Sequence, residues 1–188
     1  MGPGPVQAHL DHAGGFAEAI GEAPAGLLLD LGSGAGLPGL ALAVAWPATE
    51  WLVVDVNRRS ADFLREASAE LGLVGRVTVV QARAEEFGRD SKFRESVQTV
   101  VARSFGPPAA TAECAAGFLA VGGRLVVSDP PEQDSRRWLD SGLMTLGQRV
   151  VRQVESNSGH HFTVIEQIEP ANDRFPRRTG VPARRPLF

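Results

Sequence analysis

A chain of 188 residues, 43% of them hydrophobic and 22% charged, is long enough to bury one full core and is not biased enough to be disordered or fibrous. Its formal charge of -3 gives no overall field favouring a polyanion, so any contact with nucleic acid has to come from a local basic patch. One cysteine, Cys114, excludes an intrachain disulfide, and the four histidines form no cluster at zinc-ligand spacing, so no metal is expected.

The opening MGPGPVQAHLDHAGG lacks the basic start and apolar run of a signal peptide, and no segment approaches the roughly 20 apolar residues of a membrane helix. The chain is therefore expected to be cytoplasmic, with no membrane partner. Gly2, Pro3, Gly4 and Pro5 predict a frayed start, and Leu10, Phe16, Ala19 and Ile20 then suggest a helix that ends near Gly21 to Pro24. Leu27-Leu28-Leu29 is a short apolar run of the kind a strand buried on both faces shows, and it stops at Asp30 and a glycine loop. Pro38 suits a first helical position, and Leu40 to Ala45 continues as helix until Pro47.

Trp51 to Val54 reads as a second strand with Asp55 at its tip. Ser60 is the expected cap of the next helix, whose Phe63, Leu64, Ala67 and Leu71 fall at helical spacing before Gly72. Val77 to Val80 is a third strand followed by ARAEEF, and Thr99 to Ala102 a fourth followed by RSFGPP. A helix over about 109–119 carries Cys114 as a small apolar residue, and the turn Gly122-Gly123 leads to a fifth strand at Arg124 to Val127. Arg149 to Val154 and Phe162 to Gln167 read as a closing hairpin through Asn157-Ser158-Gly159, with His160-His161, just ahead of the last strand, a turn or surface pair and not a metal site.

Strands alternating with helices predict an α/β fold: a mostly parallel seven-stranded sheet with helices on both faces. A single domain over 1–188 is expected, with a short helical segment over 1–24 and an Arg/Pro-rich tail over 172–188. Ligands of such sheets sit outside the carboxyl ends of the strands, where the loops named above fall.

The loop DLGSGAGLPG can be read in two registers. Gly34, Gly36 and Gly39 fit the G-x-G-x-x-G dinucleotide pattern, but Gly34 comes too late after the strand for the tight turn that pattern needs. Read from Asp30, an acidic residue is followed by Gly32, Gly34 and Gly36. A carboxylate at the strand tip repels a pyrophosphate, yet it can hold an amino group or organise a loop beside a cation. S-adenosylmethionine carries an ammonium and a sulfonium and no phosphate, so the acidic register matches its charges; a dinucleotide or a purely structural loop are the alternatives. Asp55, at the end of the second strand, suits ribose hydroxyls in either cofactor class.

With DLGSGAGLPG, VVDVNRRSADFLREASAELGL, VQARAEEF and VVARSF in order, the sequence resembles the bacterial small-subunit ribosomal RNA guanine-N7 methyltransferases, the glucose-inhibited division protein B family. The resemblance runs from about His9 to the end, FPRRTGVPARRPL included. It implies a class I, Rossmann-like S-adenosylmethionine-dependent methyltransferase acting on ribosomal RNA or the small ribosomal subunit, expected to be a monomer. Gly32 and Leu37 match the family's cofactor-lining loop, Asp55 its ribose-side acid, and Ala84 and Glu85 the pair beside the adenine. Arg103 matches the arginine that faces both cofactor and substrate pocket and is the candidate catalytic residue; its bland alternative is a pair with Glu85 or Glu86.

The chain departs from the family pattern in a shortened helical segment ahead of His9 and in Asp11-His12-Ala13 where Asp-Ser-Leu is usual. Ser128-Asp129-Pro130-Pro131 replaces a Lys-Gly after the fifth strand, which removes a lysine that would meet a phosphate or the substrate. Asp129-Pro130-Pro131 also imitates the motif of amino-group methyltransferases, but that motif belongs after the fourth strand, so here it reads as a loop with proline-enforced turns. The tail arginines Arg177, Arg178, Arg184 and Arg185, spaced by prolines that keep it extended, are expected to follow an RNA backbone. A same-fold methyltransferase with another substrate, or a catalytically silent S-adenosylmethionine- and RNA-binding protein, are the competing readings.

Overall fold

A computed structural model describes residues 5–132, 134 and 136–188. Helices and strands alternate as α1 (Val6–Ile20), β1 (Leu27–Leu31), α2 (Gly39–Ala45), β2 (Glu50–Asp55), α3 (Arg58–Glu70), β3 (Val77–Gln81), α4 (Ala84–Phe87), β4 (Val97–Ala102) and α5 (Pro108–Ala116). They continue with β5 (Leu119–Asp129), α6 (Asp140–Thr145), β6 (Gln148–Glu155), β7 (His161–Gln167) and α7 (Val181–Arg184). The seven strands form one sheet in the order β3-β2-β1-β4-β5-β7-β6. Strands β1 to β5 pair in parallel, and β7 pairs antiparallel with both β5 and β6.

Strand alternation divides the core between the two faces of the sheet. Leu28, Trp51, Val53 and Val101 face one side, where Phe16 of α1, Leu40 of α2, Leu64 of α3 and Phe162 of β7 join them. Leu29, Leu31, Leu52 and Val100 face the other, against the alanines of α5 and Phe118 and Phe175. Asp30 shares a face with Leu28, which aims its carboxylate at the start of α2.

Several local expectations change on folding. In α1 the buried stripe runs through His9, Ala13, Phe16 and Ala19, while Leu10 is exposed. Its end is as expected: Gly21 takes φ 91° and donates to Ala17 O at 2.8 Å. Pro38 is the N-cap of α2 rather than its first residue. The cap of α3 is Asn57, whose side chain accepts from Arg59 N–H, not Ser60; the chain turns out of β2 three residues earlier than the serine would require. Phe63 of α3 and Leu71 at its C-cap are exposed, and the buried face of the helix is Ala61, Leu64 and Ser68.

Gly122-Gly123 is not a turn before β5 but lies inside it. Val97 pairs with Leu119 and Thr99 with Arg124, so β5 bulges at the glycines, and Leu119 belongs to the strand instead of the helix before it. The hairpin between β6 and β7 forms as expected, with Ser156 N–H donating to His160 O and Gly159 N–H to Ser156 O, both at 2.8 Å. Strand β6 has a register shift between Val150 and Arg152 and ends the sheet on that side. No helix among the described residues is long and apolar enough to cross a membrane.

Candidate cofactor crevice at the carboxyl ends of the strands

The glycine loop is built on two carboxylates with different tasks. Asp30 is only 1% exposed, and its Oδ2 accepts both the Ser33 hydroxyl (2.7 Å) and the Gly39 N–H (2.9 Å). Burial pushes its pKa up to about 6, against the stabilising pull of those two donors and with a further push from Asp55. A Cβ at Gly39 would lie 2.6 Å from that same oxygen, so the last glycine of the loop is required by the carboxylate it binds. Of the two tasks expected of Asp30, holding an amino group or organising the loop, it performs the second: its carboxylate is turned into the loop.

Asp55 faces the open side. Its Oδ2 accepts Gly34 N–H (2.8 Å) and its Oδ1 accepts Asn57 N–H (2.7 Å). A carboxylate has roughly four lone-pair sites, so about two remain for a ligand's hydroxyls. Asp55 borders a crevice of about 380 Å³ together with Gly32, Ala84, Glu85, Phe105 and Cys114. Of the expected cofactor residues, Gly32, Asp55, Ala84 and Glu85 line this space. Gly34 acts through its bond to Asp55, and Gly36 packs beneath the loop, where φ 85° and the nearby Leu40 and Leu64 leave no room for a side chain. Leu37 is half-buried beside them and does not line the crevice.

The segment Ser104 to Pro107, part of the RSFGPP loop placed at the strand ends but given no residue-level cofactor role, also lines this space. Ser104 has φ 54°, and the Phe105 ring lies over Gly32 so closely that a Cβ there would be 2.6 Å away. Cys114 is 2% exposed at the crevice floor, and burial raises the pKa of its thiol, which keeps it a neutral, inert wall.

Arg103 does not pair with Glu85 or Glu86, whose Oε1 atoms accept Gly180 N–H and the Thr179 hydroxyl. Its Nη2 donates to His9 Nδ1 at 2.8 Å. A guanidinium can only donate, so this bond requires a neutral His9 ring with its proton on Nε2. Burial lowers the pKa of Arg103 and Asp30 raises it. Beside this pair, His12 packs edge-on against Phe16 and His160 and tilts toward Phe162. Burial first, then Arg103 and the neighbouring His160 and His9, hold the pKa of His12 down at about 4. His160, which closes the hairpin turn by accepting from Ser156 N–H, also brings its ring into this histidine corner, and no group of three metal-binding side chains occurs among the described residues. The spacing of His9, Ala13 and Phe16 along one helix face was the available signal for the corner.

The tail is not extended. Arg177 makes an ion pair with Glu113, and residues 181–184 form α7. Arg178, Arg184 and Arg185 are exposed. Asp129 accepts from Arg137 Nε (2.9 Å), Trp138 Nε1 (3.1 Å) and the Thr163 hydroxyl (2.5 Å), so its carboxylate braces the loop after β5 and is not offered to a substrate amine.

Comparison with known proteins agrees with this architecture. Among solved structures, a geranyl diphosphate C-methyltransferase from Streptomyces coelicolor A3(2), determined with S-adenosyl-L-homocysteine, superposes with a TM-score of 0.64 at 14% identity, over 83% of this chain and 78% of its own. An S-adenosylmethionine-dependent O-methyltransferase from Thermotoga maritima gives 0.63 at 13% identity, over 86% and 66%. The fold is the Rossmann-like methyltransferase fold. The ribosomal RNA small subunit methyltransferase G of Deinococcus radiodurans is 38% identical over 85% of this chain, and that of Dehalococcoides mccartyi (strain CBDB1) 32% over 86%. The matched region spans about two thirds of those relatives, 65% and 71% of their lengths. The model of one family, GidB, described as rRNA small subunit methyltransferase G, matches residues 9–137, and the chain belongs to that family.

Proposed function

We propose that this protein is an S-adenosylmethionine-dependent methyltransferase that methylates N7 of a guanine in small-subunit ribosomal RNA. The observation that carries the reading is the crevice itself: Gly32, Asp55, Ala84 and Glu85 meet at the carboxyl ends of adjoining strands, and Asp55 keeps acceptor sites free. The residues fit a nucleoside without phosphate, since the carboxylates of Asp55 and Glu85 line the space and Arg83 is the only cation among its lining residues. The cofactor supplies a methyl group on a positively charged sulfur. Asp55 is assigned the ribose hydroxyls, and the backbone of Ala84 and Glu85 the adenine edge.

Guanine N7 presents a lone pair and has no proton to lose, so the site has to align and exclude water and needs no general base. Arg103, held by His9, is assigned to orient the guanine or the cofactor carboxylate with its forked donors. Arg178, Arg184 and Arg185 are assigned to the RNA backbone. The protein acts in this reading as a cytoplasmic monomer of one domain.

The test is transfer of radiolabelled methyl from the cofactor to small ribosomal subunits that lack the modification, followed by nucleoside analysis. Label in 7-methylguanosine is expected. Label found in protein or small molecules but not in RNA would assign the same fold another substrate, and no transfer despite cofactor binding would leave a silent binder.

A further inference from the structure

Helix α5 is buried on every side, and eight of its residues, alanines mostly, have almost no exposure. Among them stands a carboxylate, Glu113, at 0%. An ionised group there is costly unless every acceptor site is used. Arg177, from far along the chain, uses them: its Nε donates to Oε1 and Oε2 (2.8 and 3.0 Å), its Nη2 to Oε2 (2.6 Å), and its backbone N–H to Oε1 (2.7 Å). The same Nη2 donates onward to Arg185 O at 2.8 Å, which draws the end of the segment back over its start.

Between these anchors the chain makes one helical turn entered through Gly180 in the left-handed region, φ 75°. Gly180 N–H donates to Glu85 Oε1 and the Thr179 hydroxyl to Glu86 Oε1, both at 2.8 Å, so the segment is fastened to α4 as well as to α5. What these attachments place is Pro182, which is buried, and Ala183; both line the crevice on the side of Ala84 and Glu85.

We propose that the C-terminal segment is part of the cofactor site: Pro182 and Ala183 form the outer wall of its nucleobase half, and Arg177 is the positioning residue that holds the wall through Glu113. This rests on the cofactor reading of the crevice. A buried ion pair adds little net stability compared with an apolar filling, so its use here is to set the segment in one place. The wall presents a proline ring and a methyl group, flat and apolar surfaces suited to the face of a purine, while Glu85, whose backbone is assigned to the purine edge, is held by the same segment. Arg177 therefore serves the cofactor and not the RNA, although it stands in a run of arginines.

The experiment is calorimetric titration of the full chain with S-adenosylhomocysteine, for the wild type, Arg177→Met and Pro182→Gly, with circular dichroism and melting to verify folding. Arg177→Met is expected to raise Kd at least tenfold and Pro182→Gly about threefold to tenfold, and KM for the cofactor should rise more than kcat falls. A role in stability alone would lower the melting temperature and leave Kd of the folded protein unchanged. Kd within twofold of wild type in both folded variants overturns the proposal, and if Arg177→Met does not fold, Pro182→Gly decides. A wild-type chain that binds no S-adenosylhomocysteine overturns the cofactor reading itself and this wall with it.

Discussion

The glycine loop and the C-terminal segment border the same crevice, yet they are held in opposite ways. In the loop, Asp30 binds Ser33 and Gly39, partners within the same turn of chain. In the tail, Arg177 binds Glu113 and Gly180 binds Glu85, partners recruited from other elements across the fold. Both use a carboxylate to fix backbone. The loop takes its anchors from its own strand and from the adjoining β2, whose Asp55 accepts Gly34 N–H, whereas the tail takes its anchors from α4 and α5, far away in the sequence.

The largest expected effect tests that asymmetry. Asp30→Ala leaves the Ser33 hydroxyl and the Gly39 N–H buried without an acceptor and should cost about 2–4 kcal/mol in urea unfolding, with cofactor binding abolished. Glu113→Gln should cost only about 1–2 kcal/mol globally, because the tail can open locally and rehydrate Arg177. Equal global losses would show that tail and core unfold as one unit.

A second test uses pH. The pKa of Asp30 is raised by folding from near 3.8 to about 6, so the folded state binds the proton more tightly than the unfolded one, and its ionisation costs stability as pH rises through that window. Asp30→Asn should therefore gain on the wild type by about 1–3 kcal/mol between about pH 4 and pH 7, measured by denaturant midpoints. A constant difference between the two proteins would mean that the carboxyl is not destabilised by burial.

Replacing Arg178, Arg184 and Arg185 with serine should weaken RNA binding and reduce the slope of log affinity against log salt by about one for each phosphate no longer neutralised, with cofactor affinity unchanged. A slope equal to wild type would remove these arginines from the RNA interface. The histidine corner should show the reverse pH behaviour to Asp30. His12 is held at about 4 against an ordinary 6.5, so its contribution is present above 6.5 and disappears as pH falls toward 4. His12→Phe, which keeps the ring against Phe16 and Phe162, should flatten that acid loss in thermal melts. The smallest effect concerns the helix after β2: Asn57→Ala should cost about 1 kcal/mol through removal of the cap and Ser60→Ala less than about 0.5 kcal/mol, and the opposite order would restore Ser60 as the cap.

Much of the fold was legible because strands of Leu and Val broken by glycine and acidic residues carry their own boundaries. The α/β alternation, the seven strands and the hairpin at Gly159 follow from such local signals. Within the site, Gly32 and Asp55 could be located because strand ends place them. Sequence spacing said where Asp30 sits but not which way its oxygen points; that depends on Gly39 being close enough to bind it. Nothing near Arg177 marks it apart from Arg178, since the difference is a carboxylate on a helix it meets only in three dimensions. The corner of His9, His12 and His160 was hidden for the same reason: one ring comes from the far end of the chain.

Among the described residues no strand pairs with the outer side of β6, and an unpaired row of amides and carbonyls is a template on which other polypeptides can lengthen a sheet. Here the template is spoiled. The register shift at Val150 to Arg152 kinks the row, Arg149 is drawn inward to Glu166 at 3.0 Å, and Arg152 turns back to the Ala19 carbonyl. The sheet is thereby closed to growth at the margin farthest from β3, so its edge does not recruit further strands.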